Sequence, residues 1–336
     1  MFRVLVIGCG SIGLRHTRNL VDHFPYEVAV QDPRRPDVIP SGVRYFAELD
    51  EALDWRPHAS IVATPTHLHV DTARRVLAVD SHVLVEKPIS TTTAGLDDLS
   101  DLARQRGLAA MVACNMRFHP GPVALFEHLG ALDTVYFTRA EAGYYLPAHR
   151  PGVDYRTVYA ANRAQGGGPI MDYIHEVDYH VSMFGRIGQM TVRTAKLSDL
   201  DIDVEDYAAM HLTFESGVQA EIHVDFLQRC RRRTCQIVGE GGTLIWESQG
   251  KGPEICTVRL FRESMGRWET IVDQKIDDFN FMYVDELKHF FACIETGIAP
   301  VATIEHGKHL VEKILPAVEY ASPGTERNPY ILRGVA

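Results

Sequence analysis

An apolar run, Phe2-Arg3-Val4-Leu5-Val6-Ile7, leads directly into Gly8-Cys9-Gly10-Ser11-Ile12-Gly13. Few short patterns constrain a fold more, because a strand must turn into a helix within a handful of residues. A helical pattern runs from Ser11 to about His23. A second strand, Tyr26 to Gln31, ends at Asp32, nineteen residues after Gly13. Strand, glycine turn, helix and acid in this order predict a βαβ unit that binds a dinucleotide. Gly8 permits the tight turn, Gly10 lets the backbone approach a pyrophosphate, and Gly13 lets helix and strand pack closely. The helix start, where Ser11 and Ile12 stand, supplies unbonded N–H groups and a partial positive charge for phosphates. A carboxylate at Asp32 accepts hydrogen bonds from the adenosine ribose hydroxyls and repels a 2′-phosphate, which favours NAD. Arg34 and Arg35 follow and could instead clasp a 2′-phosphate, so NADP stays open.

The chain has 336 residues, which predicts two domains. With 46% hydrophobic and 23% charged residues it has the composition of an ordinary globular protein. A formal net charge of −10 argues against nucleic acid or an anionic membrane as the main partner. No apolar stretch reaches membrane-spanning length, and the N-terminus has no signal pattern. The six cysteines (Cys9, Cys114, Cys230, Cys235, Cys256, Cys293) are scattered, with no C-x-x-C pair. A reduced, cytoplasmic protein without disulfides or structural zinc is expected. The histidines show no H-E-x-x-H spacing, and nothing in the pattern calls for a metal.

Residues 1–118 alternate short strands (2–7, 26–31, 59–63, 82–85, 109–113) with helical patterns (11–23, 47–54, 67–79, 92–106). This predicts an α/β Rossmann domain with a parallel sheet. Ligands of such sheets bind beyond the strands' carboxyl ends. That singles out Thr64-Pro65-Thr66, Glu86-Lys87-Pro88 and Asn115-Met116-Arg117. Residues 119–336 form the second domain. A helix (122–130) and a strand (134–142) precede a polar-aromatic loop and a helix opening after Gly166-Gly167-Gly168-Pro169. Seven strands between 189 and 273, with tight turns such as Glu240-Gly241-Gly242, predict a large, mainly antiparallel sheet. Helices near 280–296 and 305–320 close the chain.

At this level the sequence resembles the glucose-fructose oxidoreductase / inositol dehydrogenase / rhizopine catabolism family (Gfo/Idh/MocA) over nearly its whole length. The residues that carry the likeness are Gly8 to Gly13, Ala63-Thr64-Pro65-Thr66-x-x-His69, Glu86-Lys87-Pro88, Asn115-Met116-Arg117-Phe118, the glycines leading to His175, and Glu305-His306-Gly307. The resemblance implies an NAD(P)-dependent dehydrogenase acting on a secondary alcohol of a sugar, sugar derivative or cyclitol. It implies a Rossmann domain followed by an α+β domain whose open-faced sheet makes homodimer or homotetramer contacts. It also places Thr64, Pro65, His69, Glu86, Lys87, Asn115 and Arg117 with the glycine turn and Asp32 around the cofactor.

Lys87, at a strand's carboxyl end, suits the orientation of a substrate hydroxyl. His175 is the expected general base, since imidazole titrates near working pH. Family members commonly place an aspartate four residues before that histidine; here Asp172 is three before it, so it either contacts substrate or caps the helix. Asp178 lies one turn beyond His175, placed to hold the imidazole's other nitrogen. The segment around His175 looks like members from carbohydrate biosynthesis that act on nucleotide or acidic sugars. Arg156, Arg163 and Arg231 could bind a carboxylate or phosphate bidentately, or be solvated. Tyr144, Tyr145 and Tyr155 could stack on sugar faces or pack in the core. Val192, Met210, Leu212 and Ile222 are expected on the sheet face that oligomerises. Two other functions share this pattern: a redox-neutral elimination or glycoside cleavage, separated by net NADH production, and a non-catalytic NAD-binding sensor, against which the presence of both Lys87 and His175 argues.

Overall fold

The computed structural model describes residues 1–320, and within them the chain forms two compact units. The first begins with β1 (Arg3–Ile7), α1 (Ser11–His23), β2 (Glu27–Gln31), β3 (Arg44–Phe46), α2 (Leu49–Asp54), β4 (Ala59–Val62), α3 (His69–Ala78), β5 (His82–Glu86), α4 (Leu96–Arg106) and β6 (Ala110–Ala113). All six strands are parallel, in the order β3-β2-β1-β4-β5-β6. β4 and β6 are buried along their whole length, as strands covered on both faces must be. Strand order reverses between β1 and β4, which opens a crevice at their carboxyl ends. The short strand β3 lies outside the sequence expectation. It is an edge strand of three residues with no apolar run to announce it.

The second unit starts at His119, directly after the expected boundary. It contains α5 (Pro120–His128), β7 (Val135–Gly143), α6 (Leu146–His149), a run of short turns, α7 (Pro169–Asp172), α8 (Ile174–Phe184), β8 (Ile187–Ala195), β9 (Tyr207–Phe214), β10 (Gln219–Asp225), β11 (Arg232–Gly239), β12 (Gly242–Gln249), β13 (Glu254–Arg262) and β14 (Arg267–Ile276). The eight strands run β14-β13-β12-β11-β7-β10-β9-β8, antiparallel except where β10 lies parallel to β7. Side chains alternate across this sheet. Thr138, Ala140, Met210, Leu212, Ile222, Cys235, Trp246 and Val258 are buried on the face covered by α5, α7 and α8.

That alternation corrects one expectation. Met210, Leu212 and Ile222 are each 1% exposed and belong to the unit's own core, leaving only Val192 of the four partly exposed. A shift of one residue moves a side chain to the other face, and Ile222 pairs directly with Met210 on the inner one. The outer face instead carries Phe137, Val238, Ile245, Ile255, Phe261 and Trp268, all partly or fully exposed.

The two last helices require a second correction. Phe279–Glu312 belong to the first unit, so 119–336 is not one continuous domain. α9 (Asn280–Thr296) places Leu287, Phe290 and Phe291 among Val4, Val28 and Met111 in the first unit's core. Just before α10 (Ile304–Tyr320), the carbonyl of Ala302 accepts a bond from Val112 N (2.8 Å) and covers the β6 edge. An amphipathic helix declares that it will be buried, not against what. No helix among the described residues is long and apolar enough to cross a membrane.

Two features of the second unit yield measurable consequences. A Cβ on Gly121, in the first turn of α5, would stand 2.2 Å from the buried Trp246 ring. Gly121→Ala should therefore cost about 1–3 kcal/mol of stability by overpacking; an unchanged urea midpoint would refute that contact. His180 is fully buried, its Nδ1 donating to the Glu176 carbonyl at 2.5 Å, and burial pulls its pKa down to about 4. The unfolded chain binds a proton there at about pH 6.5 while the folded chain does not, so stability is full above that pH and is lost as pH falls toward 4. Urea midpoints measured across this window should fall with pH, and less steeply in His180→Gln.

Candidate functional site

The first unit's loops converge at the strand carboxyl ends. Gly8 has φ +92°, and a Cβ there would meet Ala63 O at 2.6 Å. At Gly13 a Cβ would fall 1.9 Å from Gly8 O, so only glycine lets α1 lie this close to β1. A Cβ on Gly10 would meet none of the described residues within 4 Å, which leaves the backbone open to a ligand. Gly10 is the N-cap of α1 and offers no side-chain cap, so the first-turn amides at Ser11 and Ile12 are available to a phosphate. Asp32 sits at the end of β2, its Oδ2 accepting from Cys9 N (2.8 Å) and its Oδ1 from Arg34 N (2.9 Å). The Arg35 guanidinium lies over the Tyr45 ring, 5.3 Å from its centroid. Thr64 Oγ1 is buried with no hydrogen-bond partner among the described residues. An open glycine backbone, a bare helix start, an acid at the second strand's end and an orphaned hydroxyl fit a dinucleotide.

Three residues expected at the cofactor also bond within the first unit. His69 is 1% exposed, and its ring nitrogens lie 2.8 Å from Thr64 O and 3.0 Å from Pro88 O. With its pKa lowered by burial the ring is neutral, so it donates to one of these carbonyls and lies against the other, packed between the loops after β4 and β5. Glu86 is also buried: His16 Nε2 donates to its Oε1 (2.7 Å), and Lys87 N donates to its Oε2 (3.2 Å). It positions Lys87 by fixing the backbone from which that side chain extends. Arg117 bonds to Val301 O and to His306, and so anchors the start of α10. Pro65 begins the turn after β4, and Asn115, 8% exposed, begins the turn after β6. Sequence reasoning missed His16 and Tyr283. His16 stands three residues after Gly13 on the buried face of α1, a spacing that could have flagged it. Tyr283 lies beside Glu86 and Lys87 and under the Arg15 guanidinium (4.6 Å).

In the second unit the expected helix after the glycines is broken. α7 ends at Asp172, Tyr173 leaves helical geometry (φ −95°, ψ 27°), and α8 starts at Ile174. The three-residue spacing of Asp172 and His175 therefore spans a break between two helices. The Asp172 carboxylate receives the hydroxyls of Tyr144 (Oδ2, 2.7 Å) and Tyr159 (Oδ1). His175 is 7% exposed and Asp178 fully buried. Next to His175, Glu176 accepts from Arg233 Nε (2.7 Å) and from Tyr179 OH (2.6 Å), tying α8 to β11 and to itself.

The arginines separate by partner. Arg156 is exposed and engaged by Asp154 and Asp201. Arg163 bonds Asp203 O and lies 3.8 Å from Glu205, whose pKa burial raises. Arg231 is mostly buried and donates to Gly250 O and Glu254 Oε2. Tyr144 is 5% exposed and stacks on His149 at 4.1 Å, while Tyr155 OH accepts from Asp201 N. His119, Glu254 and Cys256 bring ligand-type atoms within 4.8 Å of one another. Both His119 nitrogens are already used, one by Glu254 (2.8 Å) and one by Gly121 N (3.1 Å), and Arg231 lies on the other Glu254 oxygen, which disfavours a cation.

Residues 2–114 match the model for an oxidoreductase family with an NAD-binding Rossmann fold, and residues 128–245 match the GFO/IDH/MocA C-terminal domain. An uncharacterized oxidoreductase of Synechocystis sp. is 26% identical over 224 residues; the match spans 62% of this chain and 60% of that protein's length. A trans-1,2-dihydrobenzene-1,2-diol dehydrogenase of Oryctolagus cuniculus is 25% identical over 321 residues, 90% of this chain and 92% of its own. The aldose-aldose oxidoreductase structure from Caulobacter crescentus superposes with a TM-score of 0.75 at 20% identity, covering 96% of this chain and 97% of that one, and shares the fold. Since the two models together match more than half of its residues, in the order of the two units along the chain, the chain belongs to the Gfo/Idh/MocA oxidoreductase family and its first unit is an NAD-binding Rossmann domain.

Proposed function

We propose that this oxidoreductase transfers hydride to or from a secondary alcohol of a sugar, sugar derivative or cyclitol, with NAD preferred to NADP. The observation that carries the reading is Lys87 on a backbone fixed by the buried Glu86–His16 pair, at the carboxyl end of β5 where such sheets bind their ligands. The bound nicotinamide supplies the hydride acceptor or donor. Lys87 hydrogen-bonds the alcohol oxygen and stabilises its developing negative charge. His175 accepts the hydroxyl proton as the alcohol is oxidised and returns it in the opposite direction. Asp172, held by two tyrosines, keeps a fixed acceptor for a further substrate hydroxyl. The preference for NAD follows from Asp32, whose charge opposes a 2′-phosphate, with Arg35 drawn onto Tyr45.

We also propose a homodimer or homotetramer formed through the outer face of the second unit's sheet. Phe137, Val238, Ile245 and Ile255 on that face supply apolar area. A monomeric mass by light scattering at micromolar concentration refutes it.

Asp32→Ala removes a charge-assisted bond of about 1.5–3 kcal/mol, so NADH should bind roughly tenfold or more weakly. Tighter binding of NADPH than NADH to the unaltered chain would hand the site to Arg34 and Arg35. His175→Ala should lower hydride transfer about 10²–10⁴-fold in single turnover with NADH affinity retained, and Lys87→Ala should do at least as much damage. The substrate for that assay comes from a screen of sugars, cyclitols, uronic acids and nucleotide sugars for NADH production. Near-normal rates in His175→Ala would send the proton elsewhere, with Asp172 next in line.

A further inference from the structure

One end of the second unit's sheet gathers three loops. The register Gly143↔Asp225, Gly143↔Arg232 and Arg232↔Gln249, followed by Gln249↔Ile255, places there the chain after β7, the β10–β11 connection and the β12–β13 connection. These loops carry His149, Arg150, Arg229, Arg231 and Lys251. In a chain of net charge −10, such a gathering of cations is against the average.

Most arginines of this unit have acids: Arg139 pairs with Glu221, Arg156 with Asp154, Arg233 with Glu176 and Arg259 with Glu247. Arg150, Arg229 and Lys251 have no carboxylate within ion-pair distance among the described residues. Lys251 Nζ donates to the His149 carbonyl, and the Arg229 guanidinium lies 3.5 Å from the Tyr145 centroid. The neighbouring acids are occupied. Glu254 is shared by His119 and Arg231, and both Asp172 oxygens receive tyrosine hydroxyls. Burial, followed by repulsion from Arg231 and Arg150, holds the Lys251 ammonium below the ordinary lysine range.

His149 joins this cluster to the proposed substrate site. Its ring stacks on Tyr144 at 4.1 Å, and Tyr144 OH donates to Asp172. Its Nδ1 is buried with no hydrogen-bond partner among the described residues. Burial and the charges of Lys251, Arg150 and Arg231, opposed by Asp172, pull its pKa down to about 4. It is therefore neutral at working pH beside three cations.

We propose that Arg150, Arg229 and Lys251, with the Glu254-bound Arg231 adding to the local positive field, form a subsite for an anionic group of the substrate, a carboxylate or a phosphate, one tyrosine ring away from Asp172. This rests on the reading that the Asp172–His175 segment handles the substrate. It assigns the anion to cations other than Arg156 and Arg163, which already have acids of their own.

The test uses inorganic phosphate and acetate as separate probes on the full chain at constant ionic strength, followed through the His149 imidazole by NMR. An anion seated among these cations offsets their repulsion, so the His149 pKa should rise from about 4 in a saturable way with at least one probe. The arm that responds distinguishes phosphate from carboxylate recognition. The double variant Arg150→Gln/Lys251→Gln should weaken that response by at least about tenfold and leave NADH affinity unchanged. No saturable response to either probe, or an equal response in the double variant, overturns the subsite. Absence of NADH production across the substrate screen, with anion binding intact, would instead overturn the dehydrogenase reading.

Discussion

A carboxylate buried at the end of a parallel strand must find partners, and Glu86 finds them on both sides. One oxygen takes His16 from α1, the helix that opens the dinucleotide turn; the other takes the amide of Lys87. Removing His16 would leave the buried carboxylate without its side-chain partner, which is far costlier than a lost surface contact. The same carboxylate thus links the helix whose start is open to a phosphate to the residue proposed to face the substrate. His69 reinforces the link from the next loop, its buried ring lying between the carbonyls of Thr64 and Pro88 and donating to one of them. The Lys87 backbone is fixed before any ligand arrives, and that pre-organisation is what positioning requires.

The second unit repeats the principle with a different pair. Arg233 reaches from β11 to Glu176, and Tyr179 completes that carboxylate's bonding. Both charges are buried, so the geometry of α8 relative to the sheet is set by electrostatics as much as by packing. The break at Tyr173 then decides where Asp172 lies relative to His175. Two tyrosines, from the loop after β7 and the turns before α7, hold Asp172 there.

Within the site, legibility followed the range of the interaction. Gly8, Gly13 and Asp32 were readable because turn, helix and second strand lie within about thirty residues of one another, and steric rules there are local. Lys87 was readable as a strand-end residue. The duties of Glu86, His69 and Arg117 were not, since their partners lie 70, 19 and 189 residues away. The same limit hid the cations of the proposed subsite. Arg150, Arg229 and Lys251 are far apart in sequence, and only the pairing of β7 with β10 and β11, and of β11 with β12, brings their loops to one end.

By itself the sequence determined the fold class, the order of nearly all elements and the dinucleotide turn, because periodicity, glycine placement and strand–helix alternation are properties of neighbouring residues. Tertiary structure decided the rest. It returned Phe279–Glu312 to the first unit, turned Met210, Leu212 and Ile222 inward, and divided the arginines into those with acids and those without. The physical reason is common to all three: burial and charge pairing depend on which distant residue arrives opposite, and a period along the chain does not say which one will.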